Sequence, residues 1–164
     1  MSDYNYKNCQ SLFGYSAEVH IRCRGKYQLC GCGGGPLDFD MWRQMTVEHL
    51  IGKSQGGYLK QIKDSLLIKY PNYAADEIIS LSKKLDALNT VTACQFCNST
   101  TSRDVCDLSM EDLIHNGTNE LEIFQAVELA CLDILEIKKK KVAWKLESVK
   151  EAFEKYVAPK MVEE

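Results

Sequence analysis

The stretch that decides the fold runs Gln44-Met45-Thr46-Val47-Glu48-His49-Leu50-Ile51-Gly52-Lys53-Ser54-Gln55-Gly56-Gly57. Its first eight residues are rich in apolar and β-branched side chains, and they predict a β-strand over residues 44–51. The glycines among the last six residues predict a loop, because glycine marks turns and loops. Glu48 and His49 therefore stand close to the end of a strand, beside a loop.

A second strand is predicted further along the chain, over residues 90–93, and it leads directly into Cys94-Gln95-Phe96-Cys97-Asn98. Between the two strands, leucine and isoleucine recur at helical spacing in residues 58–70 and 74–88, which predicts two helices. Asn98 follows the second cysteine, at the start of a further helix. The two strands are thus separated by a helical insertion.

The C-terminal third is predicted to be helical, with one long helix or a broken pair over residues 119–157. Leu135, Val142, Val149 and Tyr156 recur every seven residues, a spacing that suits a coiled coil. Packing of this seam onto the core is the simpler interpretation, and we expect it. The lysine run at 138–141 is expected to be a solvated stretch of helix rather than a localisation signal or a nucleic-acid contact.

The chain has 164 residues, of which 45% are hydrophobic and 26% charged, as in ordinary soluble proteins. No stretch approaches the roughly 18 apolar residues of a membrane span, and the N-terminus lacks the pattern of a signal peptide. We therefore expect a cytoplasmic protein with reduced thiols and no membrane partner. Residues 20–103 carry 11 Lys and Arg against 7 Asp and Glu, whereas residues 104–164 carry 8 against 14. A basic part beside an acidic part permits binding to phosphates.

Several of the 8 cysteines fall in two groups, and in a reducing compartment grouped cysteines more often hold a metal than form disulfides. Four thiolates, from Cys30, Cys32, Cys94 and Cys97, suit a tetrahedral Zn²⁺ ion with no open position, which is a structural site. Cys23 is an alternative ligand in place of Cys30 or Cys32. Two other interpretations stay open: incidental cysteines, and a redox pair formed by Cys94 and Cys97.

Glu48, His49 and Asn98 offer the chemistry of a phosphodiesterase if zinc joins the two cysteine groups. The carboxylate of Glu48 and the amide oxygen of Asn98 are hard ligands that suit Mg²⁺ or Mn²⁺. Imidazole changes its protonation near neutral pH, so His49 is suited to take a proton from an attacking water. Each residue alone also has a simpler interpretation: a structural histidine, a helix-capping asparagine and a solvated glutamate.

Together with residues 89–98, the opening stretch resembles the HNH endonucleases. That family's pattern is an acidic residue then His, a glycine-bearing loop, an Asn before the second strand, and Cys-x-x-Cys-Asn. The resemblance implies a ββα-metal fold in which His49 is the general base and Glu48 and Asn98 are metal ligands. It also implies that Asn89 fixes the loop.

These observations predict an α+β protein. Its expected parts are an N-terminal segment (1–19), a small zinc-stapled ββα core (20–103) interrupted by the helical insertion (58–88), and a helical C-terminal annex (104–164). The expected function is metal-dependent hydrolysis of phosphodiester bonds in nucleic acid, DNA above all. The alternative is a non-catalytic zinc module that binds nucleic acid or protein. A thiol redox protein is a weaker third, because no thioredoxin-like βαβ pattern surrounds the cysteines.

Overall fold

The computed structural model describes residues 22–32, 39–101 and 107–162, so the N-terminal segment 1–19 lies outside the described residues. In this part the chain is mixed α and β, mostly helical with a small sheet. Its elements, in chain order, are α1 (Phe39–Arg43), β1 (Met45–His49), a 3-10 turn (Lys53–Gln55), α2 (Leu59–Lys69), α3 (Ala75–Asn89), β2 (Thr90–Cys94), α4 (Gln95–Thr100), α5 (Met110–Asn116), α6 (Glu120–Tyr156) and α7 (Ala158–Met161).

β1 and β2 form an antiparallel pair, with Met45 opposite Cys94 at one end and His49 opposite Thr90 at the other. Strands are confirmed at both predicted positions, although β1 is shorter than the predicted 44–51. The paired strands have two ends with different surroundings. We call them the Cys94 end and the His49 end.

α2 and α3 lie between the two strands in sequence, which confirms the helical insertion. α2 buries Ile62 and Leu66, one turn apart, on the side that faces the core. α3 buries Ile78, Leu81 and Leu85 at the same helical spacing. Each helix therefore forms because one apolar stripe is covered by the rest of the protein.

One hydrophobic cluster joins the insertion, β2 and the C-terminal helices. α6 contributes Ile123, Val127, Ile134 and Val142, all of them buried. These side chains belong to the same cluster as the buried residues of α2 and α3. The C-terminal annex therefore shares its core with the insertion.

α6 is a continuous helix of 37 residues, which confirms the single long helix rather than the broken pair. The predicted packing of its whole seam onto the core is wrong beyond Leu146, since Val149 and Tyr156 are 48% and 62% exposed. The last buried residue of α6 is Val142, so the C-terminal part of the helix extends beyond the core. Within the described part of the chain, no helix has both the length and the apolar character that crossing a bilayer requires.

Candidate functional site

Three cysteine thiols meet at the Cys94 end of the antiparallel pair β1–β2, which we call the hairpin although two helices connect its strands. The Sγ atoms of Cys30, Cys94 and Cys97 all lie within 4.8 Å of one another, and such a group can bind a metal ion. Cys94 ends β2, and its sulfur accepts a hydrogen bond from the backbone N–H of Cys97 in the first turn of α4 (3.4 Å). The Cys-x-x-Cys spacing thus directs both thiols toward one point at a strand-to-helix junction.

Cys30 comes from a turn that is fastened to β2. The backbone N–H of Gln28 donates to the Thr92 carbonyl oxygen (2.9 Å), and the Gln28 side-chain oxygen accepts from the Thr92 N–H (3.0 Å). Gly31 has a φ of +73°, in the left-handed region that other residues rarely adopt. The turn therefore needs glycine there, and it brings Cys30 to Cys94.

The surroundings of the Cys97 and Cys30 thiols disfavour their ionisation in the metal-free chain. Burial raises the pKa of the Cys97 thiol, and the neighbouring Cys94 and Cys30 side chains raise this pKa further. Burial likewise raises the pKa of Cys30. Because redox exchange requires a thiolate, the raised pKa of Cys97 disfavours this residue as an attacking thiol. A bound cation, in contrast, stabilises the thiolate form directly.

Two other candidate ligands lie outside this group. Cys32 is exposed and lies outside the three-thiol group, but a hydrogen bond with its side chain contributes to the raised pKa of Cys30. The Cys23 thiol contacts the sulfur of Met45 at 3.5 Å. Three of the four predicted zinc ligands are therefore brought together, and Cys32 is a direct neighbour of one of them.

At the His49 end, the buried side chain of Asn89 holds the loop between β1 and the insertion. Its Oδ1 accepts a hydrogen bond from the Ile51 N–H (2.7 Å), and its Nδ2 donates to the carbonyl oxygens of Ile51 and Gly57 (both 2.9 Å). A Cβ at Gly57 would lie 1.8 Å from the Ile51 carbonyl oxygen, so the close approach requires glycine. Asn89 therefore ties the two ends of the loop together, the role that the resemblance implies.

Glu48 is buried, with 4% of its surface exposed. Its carboxylate accepts hydrogen bonds from the Thr101 hydroxyl (3.0 Å to Oε2 and 3.3 Å to Oε1) and from the Lys138 ammonium. Lys138 is fully buried, so the prediction that it lies in a solvated stretch is wrong. It lies four residues from both Ile134 and Val142, which places it on the buried face of α6.

His49 follows Glu48 directly but contacts the helical insertion. Its Nε2 lies 3.3 Å from Oδ1 of Asp86 on α3, an ion-pair distance rather than a well-directed hydrogen bond. Its ring stacks on that of Tyr58, with centroids 4.3 Å apart and planes 15° from parallel. The His49 side chain retains 12% exposure. The imidazole is therefore held between two residues of the insertion and still reaches the surface.

Asn98, in α4, is tied to β1 by a short chain of hydrogen bonds. Its Nδ2 donates to the Thr46 hydroxyl oxygen (3.1 Å), and that hydroxyl donates to the Ala93 carbonyl oxygen (2.8 Å). Thr46 and Glu48 are two residues apart on a strand, so they point to the same face of the sheet. Asn98 therefore contacts the face of the sheet that carries Thr46 and Glu48, whereas the His49 side chain points to the opposite face.

In this conformation Glu48 is not available as the predicted ligand of Mg²⁺ or Mn²⁺. Both of its oxygens accept hydrogen bonds from protein groups, and one of the donors is the cationic Lys138. Mg²⁺ is bound in proteins through carboxylates that leave room for water and substrate oxygens. The Glu48 carboxylate is instead enclosed.

Four partners of the predicted site residues were missed by sequence reasoning: Tyr58, Asp86, Thr101 and Lys138. Lys138 carried a readable signal, its position in the apolar stripe of α6. Asp86 and Thr101 carried none, because their contacts depend on how α3 and the end of α4 pack against β1.

No family model, curated protein or solved structure matches the chain. The assignment of a function therefore rests on the hairpin and the side chains around it.

Proposed function

We propose that this chain is a zinc-stapled, metal-dependent endonuclease of the HNH type that hydrolyses phosphodiester bonds of nucleic acid, in the first instance DNA. The observation that carries the proposal is the arrangement of the hairpin. Asn89 holds the loop beside His49, and Asn98 bonds to the strand that carries Glu48. Motif residues that are separated by a long insertion in sequence are thus gathered around one short pair of strands.

The zinc part of the proposal concerns the three-thiol group and Cys32. Zinc prefers four thiolate or imidazole ligands in a closed tetrahedral site. Cys30, Cys94 and Cys97 supply three thiolates, and Cys32 is the proposed fourth because it neighbours Cys30. The strands they hold are only five residues long each. A short hairpin of this kind is at best marginally stable by itself, so a metal link has a clear structural purpose.

His49 is the proposed general base. Asp86 lies beside its Nε2, and the imidazole is the group proposed to take the proton from the attacking water. Once protonated, the imidazolium is stabilised by the adjacent Asp86 carboxylate. Stacking on Tyr58 limits rotation of the ring.

The proposal retains Glu48 and Asn98 as the residues that bind Mg²⁺ or Mn²⁺, as the resemblance implies. Because Lys138 holds Glu48 in the described conformation, no catalytic step is derived through that metal. Whether cleavage requires Mg²⁺ or Mn²⁺ is measured in the cleavage assay.

A second candidate function is a zinc module without catalysis that binds nucleic acid or protein. The ion pair between Glu48 and Lys138 favours it, because a carboxylate fixed to a buried lysine serves structure rather than chemistry. In that case Glu48 would anchor α6 to the hairpin.

Cleavage of supercoiled plasmid by the zinc-loaded full-length chain separates the two candidates. We expect nicking or linearisation with Mg²⁺ or Mn²⁺, and none when the added metal is omitted. Zinc content is measured in every sample, so that loss of the staple is not mistaken for loss of the catalytic ion. Binding of DNA without cleavage under all metal conditions would favour the non-catalytic module. Single-stranded DNA and RNA are tested in parallel to define the substrate.

A further inference from the structure

The lysine run at 138–141 is divided between the interior and the surface. Lys138 is paired with Glu48 inside the protein. Lys140 and Lys141 are exposed, and neither forms an ion pair or a side-chain hydrogen bond with any residue that the structure describes. Two positive charges of the run are therefore presented to a partner in solution.

Trp144 lies one turn after these two lysines, and 68% of its surface is exposed. Tryptophan is on average a highly buried residue, so this exposure is unusual. Within the described ranges of the chain, no aromatic ring stacks on Trp144 and no ammonium lies over it. The indole ring is therefore available for contact with a ligand.

The lysines and the indole share one face of α6. Side chains three and four residues apart are neighbours on a helix, and helical side chains lean toward its N-terminus. The Trp144 ring therefore leans over the turn that carries Lys140 and Lys141. Glu147 follows one turn later, so the positive charge lies on the N-terminal side of the ring. We call Lys140, Lys141 and Trp144 the α6 patch.

The α6 patch lies next to α4. Lys145 directly follows Trp144, and its ammonium donates to the Thr100 carbonyl oxygen at the end of α4. Lys141 is one turn before Lys145, so it lies on the same side of α6. α4 also carries Asn98, a residue of the proposed centre. A ligand on the α6 patch therefore lies beside the helix that carries Asn98.

We infer that the α6 patch binds single-stranded nucleic acid, with one base stacked on Trp144 and neighbouring phosphates bound by Lys140 and Lys141. Aromatic rings beside cationic groups are the means by which proteins hold single strands. In a duplex the face of each base is covered by the next base, so the patch selects unpaired nucleotides. The inference deepens the proposed function: it rests on nucleic acid as the ligand and names unpaired segments as the preferred form.

An anionic lipid surface is the other ligand that lysine and tryptophan attract together. Binding to it requires a broad apolar stripe along one face of the helix. On this face of α6, Ile137 is the exposed apolar residue nearest Trp144, seven residues away, and Lys140 and Lys141 stand between them. One flat ring among charges suits a stacked base better than acyl chains.

The test is binding of a short oligo(dT) strand to the zinc-loaded full-length chain without added divalent metal, so that no strand is cut. Trp144→Ala should raise the Kd about tenfold, the size expected for loss of one stacked base. Trp144→Phe retains an aromatic ring and should bind more tightly than Trp144→Ala. Leu129→Ala, at another exposed apolar position of α6, should bind like the wild type.

The lysines are tested by the dependence of binding on salt. Each phosphate contact on a single strand contributes about 0.7 to the slope of log Kd against log salt, so Lys140→Gln/Lys141→Gln should lower this slope by about 1.4. Lys83→Gln/Lys84→Gln removes the same charge from exposed positions of α3 and should leave the slope unchanged. An equal fall in both double variants would mean a diffuse effect of charge and would overturn the assignment to the α6 patch.

Stacking itself is followed by fluorescence. In a Trp42→Phe background Trp144 is the remaining tryptophan of the chain, and oligo(dT) should quench its emission. Vesicles of phosphatidylserine are tested in parallel. A shift of the emission to shorter wavelengths with vesicles, and no quenching by oligo(dT), would assign the α6 patch to a lipid surface and overturn the inference.

The inference would also be overturned by a chain that does not bind oligo(dT), by a preference for duplex over single strand, or by an unchanged Kd of Trp144→Ala. Its failure is distinguishable from failure of the proposed function. Binding of oligo(dT) through Trp144, without cleavage of any nucleic acid, would reject the nuclease and leave the inference standing. Metal-dependent cleavage with no effect of Trp144→Ala on binding would do the reverse.

Discussion

The two ends of the hairpin are held together by different means. At the Cys94 end, thiols from a turn and from a strand-to-helix junction converge, and three of them form a group that can take a metal. At the His49 end, the amide of Asn89 closes the loop with three hydrogen bonds to backbone groups of Ile51 and Gly57. One end can therefore be closed by an ion from solution, whereas the other is closed by hydrogen bonds within the chain itself.

This difference has a physical origin in the groups involved. Neighbouring thiols repel one another once they are ionised, and burial further raises the pKa of Cys97. A carboxamide carries no net charge and satisfies donors and acceptors at the same time. The Cys94 end should accordingly respond to metal and to pH, and the Asn89 hydrogen bonds at the His49 end should respond to neither.

The largest effect is expected on removal of the proposed zinc. Apparent binding energies of structural zinc are about 10–16 kcal/mol near neutral pH, and that energy stabilises the fold. The purified chain should contain about one zinc per molecule, as a single four-thiolate site requires. Cys97→Ser should release the metal and unfold the hairpin, as followed by metal analysis and circular dichroism.

Cys131→Ala provides a matched control, because Cys131 is also buried but lies outside the three-thiol group. This variant should keep its zinc. Comparing Cys32→Ser with Cys23→Ser identifies the fourth ligand, and zinc loss from Cys23→Ser alone would exclude Cys32. A folded, thiol-reduced protein that contains no zinc would contradict the proposed zinc site.

A smaller loss is expected at the other end from Asn89→Ala. The substitution leaves the Ile51 N–H and two carbonyl oxygens without their partner, at a cost of about 3 kcal/mol in the free energy of unfolding. Asn72→Ala, at an exposed position, should change stability by less than about 0.5 kcal/mol. Urea titration measures both values. Zinc content should stay at the wild-type level in each, and zinc loss from Asn89→Ala would mean that the two ends are not independent.

The third expectation concerns pH and the thiols of the Cys94 end. Zinc requires thiolates, so protons compete with it and zinc should dissociate as the pH falls from about 7.5 toward 5. In the metal-free chain, stability changes with pH in the opposite direction. The folded state holds the Cys97 proton more tightly than the unfolded state, so this contribution to stability is lost as the pH rises above about 8.5.

The loop at the His49 end should keep its protection from hydrogen exchange while zinc leaves at acidic pH, because the Asn89 amide does not titrate. Zinc release is followed with a chromophoric chelator and exchange by mass spectrometry. Simultaneous loss of protection at both ends would show that the hairpin opens as one unit.

The sequence predicted the elements whose signals are local. Both strands, the helices α2 and α3 and the helical C-terminal third follow from local patterns, and each is present in the structure. Whether residues 119–157 form one helix or a broken pair was left open, and the structure shows one helix. Cys-x-x-Cys at a strand end directs Cys94 and Cys97 toward a common point, and the prediction that Cys30 joins them is confirmed. The predicted fourth thiol, Cys32, lies outside this group.

What was not predicted depends on contacts between distant segments. Glu48 and Lys138 are 90 residues apart, and the sequence around either residue does not indicate that they pair. The seam of α6 repeats in the same way in its packed and its projecting halves, so its spacing alone does not reveal where the core ends. Asp86 was likewise missed, since its contact with His49 depends on how α3 lies beside β1.

The central claim is that His49 is the general base of a nuclease, and His49→Ala tests it most directly. A general base contributes about 10²–10⁴-fold to the rate, so plasmid cleavage by this variant should fall by that order while its zinc content, fold and DNA binding stay unchanged. His115→Ala, which alters an exposed histidine on α5, should cleave like the wild type. A well-folded, zinc-loaded His49→Ala protein that cleaves at the wild-type rate would contradict the account.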